Sequence, residues 1–293
     1  MTFGLILPGV VAILLGVVAG LWNLPMRPRP TLRVLTTIAI VGAGTAFTLV
    51  AMLVAGFAAR FEILQFAVRW CPVVPIHHEI GLLEGLVATL LMGAMLYRIR
   101  GVLSRRRSAV AGTQGQRFRV LDTDQPIAYA APSSPGCVVV STGLLRELSP
   151  KERQVLFAHE RAHLHQRHDR HLLVGALATA IMPPLAPLVS RLRLATERCA
   201  DEAAVEAMGG DRELVAESVA RAALVTTEYA DSVASFGGGS VPFRVSALLD
   251  QSIAHDRATI ALVFTVFTAV AGTVASSVQL HHLVELVGHV CGR

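Results

Sequence analysis

Charge is scarce in this sequence. Only 16% of its 293 residues are Asp, Glu, Lys or Arg, whereas 53% are hydrophobic and the mean hydropathy is +0.55. Soluble globular domains carry about a quarter charged residues, so the composition excludes that class and points to a multi-pass membrane protein. Also missing are a basic residue ahead of the first apolar run and a small-residue cleavage site behind it, so a removed secretory signal is not expected. The glycine-rich stretch "FGGGSVPF" at 236–243 has neither the spacing nor the lysine of a phosphate loop and reads as a flexible linker. The net charge of +5 comes mostly from arginine, clustered beside apolar runs where it sets topology, and direct nucleic-acid binding is not expected.

Long apolar runs are what the chain has instead. Residues 5–22, 34–59, 80–97 and 258–278 each approach or exceed the roughly 18–20 residues a helix needs to cross a bilayer. Arg27, Arg29 and Arg33 follow the first run, and Arg98, Arg100, Arg105, Arg106 and Arg107 follow the third. By the positive-inside rule both connections are cytoplasmic, which puts both chain termini outside the cell membrane. The expected organisation is three crossings within 1–100, a cytoplasmic domain at 101–256, a fourth crossing at 257–279 and a short external tail at 280–293. Small-residue patterns inside the crossings, "GVVAG" at 16–20 and "GAGT" at 42–45, read as sites of close helix packing. On this topology Cys137 and Cys199 are buried cytoplasmic thiols, while Cys71 and Cys291 share the outer side, where a disulfide between them is chemically allowed. His77, His78, His281 and His282 read as polar groups at the outer interface.

The cytoplasmic part opens with three β-type runs, "RFRVL", "IAYAA" and "GCVVVS", separated by turn residues, which predicts a small antiparallel sheet or pair of hairpins. A helix start follows, with Ser149 as N-cap, Pro150 in the first turn and Glu152 closing a capping box. No breaker lies between Lys151 and Leu173, so one helix is expected to run through the five histidines at 159–171. On it, His159 and His163 stand one turn apart with Glu160 beside them, the pattern H-E-x-x-H. One turn brings two imidazoles to one ion, and the glutamate next to the first can reach a water on that ion without binding it, which is the chemistry of a Zn2+ hydrolase.

Catalytic zinc takes a third protein ligand. In "ERCADEAAVEAM", Glu197 and Asp201 share a helix face, on a helix expected to stop at Gly209 and Gly210. Glu197 is the expected ligand and Asp201 the carboxylate orienting a ligand histidine, with Glu202 and Glu206 as rivals. If residues 172–190 crossed the membrane, Glu197 would lie about 30 Å from the histidines. "IMPPLAP" interrupts that run, which therefore reads as a re-entrant or interfacial hairpin. For the remaining histidines, His165, His168 and His171, the plainer reading is a solvent or headgroup face; the sharper one makes one of them, or Tyr129 on the nearby strand, an oxyanion donor. A substrate peptide would pair with the edge strand around Ala128 and Tyr129, at 127–130.

These motifs, "PIAYA", "VVVSTGLLRELSPKE", "HERAH" and "ERCADEAAV", spread over 117–250, resemble the BlaR/MecR antibiotic-sensor metallopeptidases, themselves similar to the HtpX and CAAX-prenyl-protease gluzincins. The resemblance implies a mainly α integral membrane protein with a small β-sheet, four transmembrane helices and a zincin-like domain. It implies His159, His163 and Glu197 as Zn2+ ligands and Glu160 as general base. It further implies signalling by cleavage of the chain itself or of a BlaI/MecI-like repressor, with HtpX-like quality control of membrane proteins, or a non-catalytic transducer with structural zinc, as alternatives. No S-x-x-K nucleophile follows position 278, so direct β-lactam sensing by this chain is not expected. The expected partners are a protein substrate and the bilayer, with self-association left open.

Overall fold

The computed structural model describes residues 27–58, 81–229 and 240–250, with position 61 and a few positions between 14 and 21. The expected fourth crossing, the outer loop, the tail, Cys71 and Cys291, His77, His78, His281 and His282, and most of the first crossing and the glycine-rich linker lie outside the described residues.

Two helices, α1 (Pro28–Ala58) and α2 (Leu82–Ala111), are long and apolar enough to cross a membrane. One face of α1, including Leu35, Ile38 and Ala39, is buried, while α2 leaves Leu82, Leu83, Leu86 and Leu90 exposed along its apolar half. After α2 come strands β1 (Phe118–Leu121), β2 (Ala128–Ala131) and β3 (Cys137–Ser141). The order is β1-β3-β2, with β3 antiparallel to β2 but parallel to β1. This corrects the all-antiparallel expectation. The apolar run of β3 is buried at all five positions and needs a neighbour on each side, and the chain reaches β1's edge through a connection that turn residues alone do not disclose. Ser141 ends β3 and also caps the short helix α3 (Thr142–Glu147), its hydroxyl accepting from the amides of Leu144 and Ile127.

Helix α4 (Pro150–His165) begins as expected. The Ser149 amide donates to Glu152 Oε2 at 2.7 Å and the Glu152 amide to Ser149 Oγ at 3.4 Å, with Pro150 in the first turn. It does not run to Leu173. Arg167 takes a left-handed conformation (φ 50°) and a new helix, α5 (His168–Ile181), starts beyond it. No glycine or proline marks this break, so tertiary packing overrides local propensity there.

Helix α5 turns at a 3-10 segment, Pro183–Leu185, into α6 (Ala186–Ala207). The prolines break the run as expected and produce a helical hairpin. The arms touch closely at Gly175, where a Cβ would come within 2.9 Å of Leu192 and 3.1 Å of Val189. The hairpin and α1 share one buried core, in which Ala178, Met182, Leu185, Leu188 and Leu192 meet Leu32 to Ala46. Gly16 and Gly20 abut the hairpin's tip, since a Cβ on either would collide with Leu185 or with Pro187 and Leu188. Close packing is thus what the "GVVAG" pattern serves; in "GAGT", Gly42 is buried but Gly44 faces open space. Gly209 and Gly210 stop α6 with positive φ. Helices α7 (Arg212–Tyr229) and α8 (Val241–Leu249) pack behind α4 and α6, Val215, Ala216 and Leu248 meeting Val155, Ala204 and Val205.

Candidate metal centre

The H-E-x-x-H turn of α4 faces the middle of α6. His159 Nε2 lies 3.2 Å from His163 Nε2 and 3.5 Å from Glu197 Oε2, and His163 Nε2 lies 3.7 Å from Glu197 Oε1. Taking one ligand atom from each side chain, the three lie within 4.8 Å of one another, close enough to surround one ion, and the donor set of two imidazoles and a carboxylate suits Zn2+. Among the described residues this is the group of histidine, cysteine and carboxylate side chains that converges tightly enough to hold an ion.

Each member is held from behind. His159 Nδ1 meets Asp201 Oδ1 at 3.0 Å, fixing the ring so that Nε2 points into the cluster. Asp201 is 2% exposed and is gripped by Arg244, whose Nε donates to Oδ2 at 2.8 Å and Nη2 to Oδ1 at 2.6 Å. Arg244 Nη1 also reaches Glu197 Oε2 at 3.2 Å. Sequence reasoning missed Arg244. It stands on α8 beyond the glycine-rich linker, and no motif spacing ties it to position 201. His163 is backed by another histidine, its Nδ1 lying 3.0 Å from His168 Nδ1.

The charges explain the protonation of these groups. Burial opposes charge on His159, yet the carboxylates of Asp201 and Glu197 overcome it and raise its pKa to about 10. Burial and the nearby His159 hold His163 down at about 4. Glu197 is pulled down to about 2 against burial by His159 and Arg244, and Asp201 is held below the usual carboxylate range by Arg244 and His159. Glu160 behaves oppositely. It is buried, and burial raises its pKa despite the nearby cation of His159.

The other candidates lie elsewhere. Glu202 is bound by Arg212 at 3.0 and 2.6 Å, and Glu206 is exposed and outside the cluster. His165 lines a cavity of about 520 Å³ with Arg117, Phe118, Phe157, Arg161 and Leu164, none of which belongs to the metal group. His168 is fully buried, which corrects its placement on a solvent face, and His171 Nδ1 pairs with Thr36 Oγ1 of α1 at 2.8 Å. Tyr129 is exposed on β2, an edge of the sheet, opposite Val139, and Ala128 packs inward near Val140 and Leu144. Cys137 and Cys199 are buried and free.

Comparison with known proteins agrees with this geometry. Among curated proteins, a protease HtpX homolog from Thermodesulfovibrio yellowstonii is 34% identical over 79 residues, which span 26% of this chain and 27% of that relative. The chain therefore aligns with about a quarter of the relative's length. No solved structure matches it significantly. Residues 97–249, which contain the whole cluster and more than half of the chain, match peptidase family M48. The chain belongs to that metallopeptidase family.

Proposed function

We propose that this chain is a membrane-embedded, Zn2+-dependent endopeptidase, with His159, His163 and Glu197 as metal ligands and Glu160 as general base. The observation that carries the reading is the convergence of two imidazoles from α4 and a carboxylate from α6, one ligand atom of each within 4.8 Å of the others, with a buried glutamate of raised pKa next to the first. A Zn2+ ion in such a site lowers the pKa of water to about 7 and polarises a carbonyl. Glu160 takes the proton of the attacking water and delivers it to the leaving amine. Asp201, anchored by Arg244, keeps His159 oriented through both steps. The outer edge of β2, including Ala128 and Tyr129, pairs with the backbone of an extended substrate.

The site works at the membrane surface. Arg33 and Thr36, at the start of α1, and Arg106, near the end of α2, lie beside the first turn of α5, so both arginine-rich helix ends meet the catalytic domain. By the positive-inside rule that side is cytoplasmic. At 14 residues, α5 is about 21 Å long, too short for the ~30 Å hydrocarbon core. With its apolar arm packed on α1, the hairpin is read as re-entrant, dipping into the inner leaflet and returning with Glu197. Membrane proteins as substrates are what the motif resemblance to the HtpX proteases implies, and the likeness to a protease HtpX homolog is in keeping with that alternative. Cleavage of a BlaI/MecI-like repressor rests on the motif resemblance alone.

Glu160→Gln in the purified full chain tests the assignment. Zn2+ content is expected to stay at one per chain while peptide-bond hydrolysis falls by at least about 10²-fold. Retained hydrolysis would refute it.

A further inference from the structure

A histidine that the mechanism does not use sits directly behind the metal centre. His168 is 0% exposed, and its Nδ1 lies 3.0 Å from Nδ1 of His163. On one continuous helix, residues five apart point about 140° away from each other. The rings meet because Arg167 breaks the helix in a left-handed conformation and returns His168 beneath His163.

The arrangement fixes where protons must be. His163 faces Glu197 and His159 through Nε2, so an ion held there leaves the ring proton on Nδ1. That N–H can only donate to the lone pair of His168 Nδ1, which places the proton of His168 on Nε2. His168 Nε2 is buried and has no hydrogen-bond partner among the described residues. An apolar residue would fill this position without stranding a donor, so packing alone does not account for histidine here.

The same turn of α5 is tied to both membrane helices. Asp169 accepts from Arg106 of α2 at 2.7 Å, and His171 pairs with Thr36 of α1 at 2.8 Å. We propose that His168 is a positioning residue for the ligand His163, and that the first turn of α5 makes the metal affinity depend on the seating of α1 and α2. The proposal rests on the metal-ligand reading above. It adds a route by which the state of the membrane helices regulates that site.

The test is Zn2+ affinity of the purified full-length chain in detergent, measured by competition with a chelating indicator, with thermal unfolding of each metal-free form as the folding control. His168→Phe and the smaller His168→Leu, which cannot accept a hydrogen bond, are expected to weaken Zn2+ binding about 10–100-fold. His168→Asn, whose amide oxygen can take the place of Nδ1, should stay within about threefold of the native chain. Thr36→Val and Asp169→Asn should weaken binding about threefold to thirtyfold. Native affinity in the two apolar variants would overturn the positioning role while leaving the peptidase reading intact. Native affinity in Thr36→Val and Asp169→Asn would overturn the coupling. A native chain that binds no Zn2+ would sink both readings. Should the apolar variants fail to fold, ¹⁵N-imidazole spectra of the native Zn2+-loaded chain decide: a proton on His168 Nε2 supports the proposal, and one on Nδ1 overturns it.

Discussion

Arg244 and Asp201, forty-three residues apart in the chain, are joined by two hydrogen bonds at 2.8 and 2.6 Å. This buried pair clamps α8 to α6 behind the metal centre, and its carboxylate passes the constraint on to His159 at 3.0 Å. Removing one partner of a buried ion pair strands the other, at a cost of about 3–5 kcal/mol. Arg244→Gln is therefore expected to lower unfolding stability by an amount of that order, as read by thermal or denaturant melts in detergent. Arg244→Lys should recover only part of the loss, because an ammonium cannot reproduce the two-pronged contact.

Stability of the metal-free chain should depend on pH in a defined sense. His159 has a folded pKa of about 10 against an ordinary 6.5, so its contribution is fully present below 6.5 and is lost as pH rises through 10. Glu197, at about 2 against 4.5, contributes above 4.5 and is lost as pH falls through 2, and His163, at about 4 against 6.5, loses its contribution between those two values on acidification. Melting of the chelator-treated chain is expected to peak near pH 6.5, because His163 and His168 lower it as pH falls from 6.5 to 4 and His159 lowers it as pH rises from 6.5 to 10. A melting temperature that climbed steadily from pH 6.5 to 10 would contradict this.

Zinc loading should tighten over the same alkaline range, because the ion displaces the proton held on His159. Chelator-competition titrations at pH 6.5 and pH 8 are expected to show stronger binding at the higher pH, and Asp201→Asn should weaken binding about 10–100-fold at both.

Arg167 holds a left-handed backbone that costs a residue with a Cβ about 1–2 kcal/mol. Arg167→Gly should leave the melting temperature unchanged or raise it slightly, since relief of strain offsets the greater freedom of the unfolded glycine. Arg167→Val, β-branched at the same φ, should lower it.

Gly175 meets the side chains of Leu192 and Val189 so closely that a Cβ would push them aside. Gly175→Ala is expected to destabilise by about 1–3 kcal/mol through overpacking, and Gly175→Leu to prevent the hairpin from closing, which would show as loss of Zn2+ binding.

Much of the centre was legible in the sequence because its signals are local. The capping box at Ser149 and Glu152 set the start of α4, one helical turn aligned His159 with His163, and another aligned Glu197 with Asp201. The prolines at 183, 184 and 187 announced the hairpin that lets the two pairs meet. What escaped depends on contacts distant in the chain. Arg244 is one arginine among many, and only the folding of α8 onto α6 gives it a partner. The break at Arg167 carries no glycine or proline, so it follows from the docking of α5 against α1 and α2 rather than from propensity. The parallel pairing of β1 with β3 was hidden likewise, since strand order depends on how the chain crosses back.

The shared core of α1 and the hairpin has a consequence for what can be separated from what. Glu197 rides on the arm that emerges from that core, so its position relative to α4 is set by greasy surfaces that α1 covers. A fragment stripped of residues 1–80 would bare the inner face of the hairpin to water and leave the ligand triangle without its third corner held in place. On the proposed reading, hydrolysis would be inseparable from residence in the bilayer.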